Sequence, residues 1–203
     1  MTSPAPTGPS GPDTAADAMA IRNRNRNRTA LLVVLVMFFG GFLIAGALRF
    51  SGWRPAGMKN HGELLDPAAD LRGLAPQLLD GGDYAWNPVE RTWRIVVPAT
   101  AGCGAPCGKL AAEIELVREL FTKDADRVHV LWIGDYPVDG PRTPALRLLQ
   151  DAPELRAALP RSADPAGVPV YVVDPNGFVV LRYAPGFDPG HLRTDLSRLL
   201  KLK

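Results

Sequence analysis

Cysteine is scarce in this chain, which has only two among its 203 residues, Cys103 and Cys107. A disulfide that closes so short a loop removes little chain entropy, so the chain is not a disulfide-stapled scaffold. Two cysteines also fall short of the four ligands of a structural zinc site, and the chain has no second pair. The two thiols therefore call for a chemical explanation.

The C-terminal part of the chain lacks an excess of basic charge. The formal net charge of +2 divides into +5 for residues 1–59, from seven Lys/Arg and two Asp, and −3 for residues 60–203, from sixteen Lys/Arg and nineteen Asp/Glu. The basic character belongs to the N-terminal region, so we expect no nucleic-acid partner for the folded part.

The N-terminal region has little that it can bury before one long apolar run. Residues 1–28 are rich in Pro, Gly, Ala, Ser and Thr and end in alternating arginines, which predicts a disordered basic tail. The uncharged stretch from Ala30 to Leu48 follows, and as a helix it rises about 28 Å, close to the thickness of a bilayer core. We therefore predict a transmembrane helix over residues 29–49, with the cations keeping the N-terminus in the cytoplasm.

The competing interpretation of the same region is a cleaved signal peptide. Ala45-Gly46-Ala47 has the small-x-small form of a cleavage site. The leader before the apolar run is nearly thirty residues long, and the run is longer than a typical signal h-region, so we favour a retained anchor. Both interpretations place the C-terminal part across the membrane.

Residues 93–203 show strands alternating with helices. The predicted strands are Trp93–Pro98, Val128–Ile133, Pro169–Val173 and Phe178–Tyr183, and the predicted helices are Leu110–Phe121, Thr143–Gln150, Glu154–Leu159 and Pro189–Leu200. The order implies parallel crossovers closed by an antiparallel hairpin, which is an α/β fold of the thioredoxin-like class. Residues 50–92, rich in Pro and Gly, are predicted to be a linker and an N-terminal extension of this core.

The spacing of the cysteines favours chemistry over packing. Cys103 follows the first predicted strand by four residues, and Cys107 lies at the start of the predicted helix. A helix N-terminus favours thiolate over thiol, and residues i and i+4 share one helical face. The pair could close a disulfide or clamp one soft ion, and Pro106 suits the first turn. Two free cysteines would be a liability where thiols oxidise.

Pro169 is the third candidate site residue. It stands in Gly167-Val168-Pro169, directly before a predicted strand, where proline is confined to special positions. A cis peptide bond is one interpretation, and a trans proline that ends a loop is the other.

Taken together, these residues resemble the Sco/SenC proteins, the copper-delivery and thiol-reduction factors of cytochrome c oxidase assembly. The resemblance rests on the anchor, on Cys103-x-x-x-Cys107 and on Tyr171–Gly177 (YVVDPNG). Ser51–Pro55 with Asn60–Leu64 is similar to short Sco-like membrane proteins of proteobacteria. The resemblance to the Sco/SenC proteins implies a bacterial inner-membrane protein with a periplasmic domain. It also implies an oxidase subunit or a copper chaperone as partner, and copper as the ion that the two cysteines would hold.

The chain departs from the pattern of this family at two places. Gly108, not proline, follows the second cysteine, and Pro106 precedes it. The family's copper-binding His is missing, because the matching neighbourhood, Asp164–Pro169, contains none. These departures shift weight toward thiol-disulfide exchange, in which Cys103 attacks a partner disulfide and Cys107 resolves it. A Cu(I) chaperone and a non-catalytic assembly factor remain as alternatives.

The three histidines offer little to a metal site by position alone. His129 lies inside a predicted strand, where packing or a hydrogen bond is the usual role. His191 opens the last helix, and His61 follows the apolar span. Two thiolates can hold Cu(I) without them. A peroxidase is disfavoured, because only Pro98 and Thr100 stand where a Thr/Pro-rich peroxidatic pocket would be.

Overall fold

The computed structural model describes residues 14–51 and 60–201 of the chain. It divides into two compact units, Met1–Met58 and Lys59–Lys203, and each is described by itself. Of the segments that carry the resemblance, 52–55 lies outside the described residues.

The first unit is one long helix, α1, over Thr14–Phe50. Its segment Arg26–Leu48 is long and apolar enough to cross a membrane, and its large apolar side chains are exposed. The helix begins inside the tail for which the sequence predicts disorder, residues 1–28, of which 1–13 lie outside the described residues. The alanine-rich stretch after Thr14 accounts for this difference, because alanine has the highest intrinsic helix propensity.

The second unit is built on a six-stranded sheet with strand order β1-β6-β5-β2-β3-β4. The strands are β1 (Glu63–Asp70), β2 (Trp93–Pro98), β3 (Val128–Ile133), β4 (Leu146–Leu149), β5 (Val170–Val173) and β6 (Phe178–Tyr183). The helices are α2 (Ala105–Glu119), α3 (Pro153–Ala158) and α4 (Pro189–Leu199), with short 3-10 turns at Pro88–Glu90 and Thr122–Arg127. β2, β3 and β4 are parallel neighbours, and the remaining pairs are antiparallel.

One element differs in type from its prediction. The segment Thr143–Gln150, predicted to be a helix, contains β4, which pairs in parallel with β3 at the edge of the sheet. Leu146 and Leu148 pack on one face of the sheet and Leu149 on the other. This alternation is that of a strand, so pairing with β3 overrides the capping signal of Thr143-Pro144.

The sheet separates two hydrophobic clusters. Ile95 and Val97 of β2 face a cluster formed with α2 and α4, whereas Val96 faces the opposite cluster, which α3 helps to cover. All six residues of β2 are buried, as expected for a central strand covered on both faces. The first cluster includes Cys107 and therefore supports one sulfur of the cysteine pair.

Arg94 places a buried cation in this central strand. Its side chain is 1% exposed. The guanidinium donates to the Tyr84 hydroxyl and to the carbonyls of Asp174 and Pro175, at 2.9–3.0 Å. It thereby fixes the turn between β5 and β6, because buried polar groups are costly unless they are paired.

Candidate redox site: a disulfide at the edge of a groove

A glycine-rich loop carries the chain from β2 into α2 and presents the first cysteine. Gly102 and Gly104 have φ of 73° and 57°, a region that favours glycine. Gly104 is the N-cap of α2, and Pro106 stands in its first turn without wasting a donor. Cys103 therefore lies just before the helix, and Cys107 lies within its first turn.

Cys103 and Cys107 are joined by a disulfide, with their Cα atoms 5.6 Å apart. The two positions differ in exposure. Cys107 is 2% exposed and belongs to the core cluster, whereas Cys103 is half-buried and packs at its edge. An incoming thiol can therefore approach the sulfur of Cys103 but not that of Cys107.

The electrostatic setting favours a thiolate at this end of α2. No side chain caps Gly104 by a hydrogen bond, so the positive end of the helix dipole faces the cysteine pair. Lys109 lies one turn further along and pairs with Glu113 at 3.6 Å. When the disulfide is reduced, positive potential at a helix N-terminus favours a thiolate over a thiol.

A groove of about 600 Å³ opens beside Cys103. Two loops face the cysteine across it, one before β5 and one between β6 and α4. The described residues that line it are Thr100, Cys103, Pro106, Lys109, Leu110, Glu113, Ala166, Gly167, Val168, Pro185, Gly186, Phe187, Asp188 and Pro189. Its walls are mainly apolar, and Lys109, Glu113 and Asp188 supply charges of both signs.

An ion pair between the buried Arg182 and the partly exposed Asp164 holds the loop that forms the Gly167–Val168 wall. Arg182 on β6 is 4% exposed and donates to the Asp164 carboxylate at 2.6 Å. The Asp164 carboxylate also accepts from the Ala166 amide at 3.0 Å, and this bond and Arg182 hold the pKa of Asp164 below its usual range. The wall is thus fixed to the sheet.

Arg156 of α3 binds the end of β2, where the chain leaves the sheet toward Cys103. Its guanidinium donates to the carbonyls of Pro98 and Ala99, at 3.2 and 2.5 Å, and pairs with Asp151 at 2.5 Å. These carbonyls directly precede the loop to Cys103. A cation from a separate helix therefore positions the strand end from which the cysteine loop departs.

Pro169 lies close to the groove in the chain but does not line it. The lining ends one residue earlier, at Val168. The cis peptide bond of the described residues is Asp66–Pro67, so the Val168–Pro169 bond is trans. Of the two interpretations of Pro169, the structure therefore shows the proline that ends a loop. The two residues before Pro169, Gly167 and Val168, line the groove together with Cys103.

None of the three histidines is among the described residues that line the groove. His129 Nδ1 lies 2.9 Å from the Tyr84 hydroxyl, and burial lowers the pKa of His129 to about 4, with the nearby charges of Arg147 and Arg94 adding to the effect. The rings of His61 and His191 stack on each other, with centroids 4.1 Å apart. Within the described ranges, no group of three or more His, Cys, Asp or Glu residues is arranged to hold a metal ion.

Sequence reasoning did not identify the residues that hold the site in place. Asp164, Arg182 and Arg156 act through contacts between segments distant in the chain, and Phe187 and Pro185 form a wall only in the folded state. The sequence offers one signal for the Arg182 contact. Arg182 lies inside the apolar run FVVLRY, and a buried arginine requires a partner.

The family described as "Transmembrane-like, thioredoxin-like, C-terminal domain" matches residues 93–203. A search of curated proteins found no match. Among solved structures, BsSco, a member of the Sco family of cytochrome c oxidase assembly proteins, is similar with a TM-score of 0.51 and 13% identity, over 70% of this chain and 98% of that chain. Yeast Sco1 with copper bound is similar with a TM-score of 0.51 and 13% identity, over 72% of this chain and 96% of that chain.

At this identity the two solved structures establish a shared fold. The match over residues 93–203 covers more than half of the chain and includes both cysteines. The chain therefore belongs to the transmembrane-like, thioredoxin-like C-terminal domain family, and it is Sco-like in its thioredoxin fold.

Proposed function

We propose that this protein is a membrane-anchored thiol-disulfide redox protein that reduces the cysteines of a respiratory oxidase copper site during assembly. The observation that carries the proposal is the disulfide itself, in which Cys103 lines an open groove and Cys107 is 2% exposed. The fold shared with BsSco, described as an oxidase assembly protein with a disulfide switch, supports the choice of client.

The reaction begins from the reduced form. The Cys103 thiolate attacks a client disulfide, so that a bond forms between Cys103 and one client sulfur and the other client sulfur leaves as a thiolate. The Cys107 thiol then gives up its proton to the released client thiolate and attacks the Cys103 sulfur. The Cys103–Cys107 disulfide forms, the second client thiolate is released, and two electrons have passed to the client. A dithiol donor on the same side of the membrane returns the protein to its reduced form.

The surroundings suit each cysteine to its role. The groove leaves room for a client segment beside Cys103, and the helix end stabilises the attacking thiolate. Cys107 is held within the core cluster, so it meets a sulfur bound at Cys103 and is shielded from other partners. The helix α1 would keep the domain at the membrane surface, where an oxidase subunit is assembled.

Copper is the alternative cargo, and the donor set fits it only in part. Two thiolates of the reduced pair can hold Cu(I), which accepts two or three soft ligands. Among the described residues that line the groove there is no histidine or methionine to complete the set. A chaperone role would therefore need a third ligand from the partner, and the likeness to copper-bound yeast Sco1 favours this second candidate.

Three experiments separate these functions. In cells, Cys107→Ser should accumulate a mixed disulfide between Cys103 and its client, detectable on non-reducing gels, whereas Cys103→Ser should accumulate none. A double Cys103→Ser, Cys107→Ser variant that still supports a fully copper-loaded oxidase would leave only a non-catalytic assembly role. Titration of the reduced full chain with Cu(I) tests the chaperone, because a reductase alone predicts no tight stoichiometric binding.

A further inference from the structure

Two exposed imidazoles form an isolated pair on the C-terminal unit. His61 precedes β1 and His191 lies in the first turn of α4, with ring centroids 4.1 Å apart and ring planes 4° from parallel. Both residues are exposed. In the described part of the chain neither ring makes a hydrogen bond or an ion pair, and both rings stand at an exposed surface.

A buried carboxylate fixes the two backbones that carry these rings. Asp195 is 2% exposed and lies one turn after His191 in α4. Its Oδ2 accepts from the amides of His61 and Gly62, at 2.7 and 2.9 Å, and from the Tyr183 hydroxyl at 2.8 Å. Burial and the Asp195 charge raise the pKa of Tyr183, which keeps this phenol a donor. Both histidines are therefore anchored to one helix.

The backbone that Asp195 holds packs closely against the Tyr183 ring. A Cβ added to Gly62 would lie 2.7 Å from the Tyr183 ring, closer than ordinary contacts allow. Asp195 cannot serve the imidazoles directly, because its Oδ2 is occupied by three donors and its Oδ1 faces Arg198 at 3.5 Å. The anchor positions the rings without bonding to their nitrogens.

We propose that His61 and His191 bind one divalent late first-row metal ion, Cu²⁺ with highest affinity. Neutral imidazole is a preferred ligand of such ions, and Cu²⁺ heads the affinity order for nitrogen sites. The stacked rings do not themselves chelate, so binding requires rotation about their exposed side-chain bonds to turn one nitrogen of each ring toward a common ion. No third ligand joins them among the described residues, so water completes an open, exchangeable site.

This site is separate from the cysteine pair in residues and in chemistry. Cu²⁺ would bind here while Cys103 and Cys107 remain a disulfide, which has no thiolate to offer. The inference therefore goes beyond the proposed thiol exchange and stands or falls independently of it.

The test uses the full chain in detergent micelles, without a polyhistidine tag and with the disulfide intact. Cu²⁺ alone is titrated and followed by electron paramagnetic resonance. We expect one equivalent bound with a nitrogen splitting from imidazole. His61→Phe and His191→Phe keep an aromatic ring in the stack and remove its nitrogens, so each should weaken Cu²⁺ binding about tenfold or more, a loss of about 1.4 kcal/mol.

His129→Gln is the matched control, because it removes the one histidine outside the pair, and it should leave Cu²⁺ binding unchanged. Circular dichroism of both Phe variants confirms that the fold is retained. Cu²⁺ binding that is unchanged in both Phe variants would overturn the proposal, as would a signal without imidazole nitrogens or an equal loss in His129→Gln. Thiol exchange measured on the same samples reports separately on Cys103 and Cys107.

Discussion

We predict that the fold loses stability in acid because of the hydrogen bonds around His129. Arg94 always donates, and its Nε lies 3.0 Å from the Tyr84 hydroxyl oxygen. The single hydroxyl proton of Tyr84 is then free to bond His129 Nδ1 at 2.9 Å, which requires that Nδ1 carry no proton. Protonation of the ring would break this arrangement and add a cation near Arg94 and Arg147, with Glu90 as the one opposing charge. The fold therefore favours neutral His129.

The size and sign of the effect follow from the pKa of His129. Burial, with the two arginines, lowers it from 6.5 to about 4, so the unfolded chain binds the proton more readily. The stabilisation is complete above the unfolded pKa and is lost as the pH falls from 6.5 toward 4. A shift of this size corresponds to about 2 kcal/mol at pH 5. Solvent screening of this half-buried ring reduces the expected loss to about 1 kcal/mol.

Urea unfolding of the full chain in detergent micelles, followed by tryptophan fluorescence at pH 7 and pH 5, measures this loss. The wild-type chain should be less stable at pH 5 by about 1 kcal/mol. His129→Gln should lose clearly less between the same two pH values, because it cannot take up the proton. Equal losses in the two proteins would show that His129 does not carry the effect and would refute the reasoning.

Three further substitutions test the contacts that hold the site and the core. Arg94→Ala should lower the free energy of unfolding by about 3 kcal/mol or more, because it opens a cavity and leaves buried acceptors unpaired; an unchanged urea midpoint would contradict this. Asp164→Asn should cost about 2 kcal/mol, because Arg182 loses a charged acceptor, and should speed proteolysis of the adjoining groove wall; equal cleavage would argue against that anchor. Gly62→Ala should cost about 1–3 kcal/mol through its clash with the Tyr183 ring, whereas retained stability would show that this contact relaxes freely.

The central strands and the approach of the two cysteines could be predicted because their signals are local. Trp93–Pro98 and Val128–Ile133 are short, continuously apolar runs, and the structure confirms both as strands with those bounds. The short spacing also allows Cys103 and Cys107 to meet in a disulfide, but Cys103 stands before the helix, so the two do not share a helical face as the i, i+4 spacing had predicted. The edge strand Leu146–Leu149 was missed, because four residues carry no decisive period and their state is set by the neighbouring strand.

The contacts that shape the groove and the histidine pair could not be predicted, because they join distant segments. The bond from Gly62 to Asp195 spans 133 residues, and sequence alone gives no register for it. The same holds for Arg182 and Asp164, whose pairing depends on the loop that folds back before β5. Which cysteine is exposed is also a tertiary property, since it depends on the helices that cover Cys107.

Differential alkylation of the reduced full chain tests most directly whether Cys103 is the exchanging sulfur. The chain is reduced, treated briefly with less than one equivalent of iodoacetamide, quenched and mapped by peptide mass spectrometry. Because Cys107 is 2% exposed and Cys103 lines the groove, the label should fall predominantly on Cys103. Equal labelling of the two cysteines, or preferential labelling of Cys107, would contradict the account.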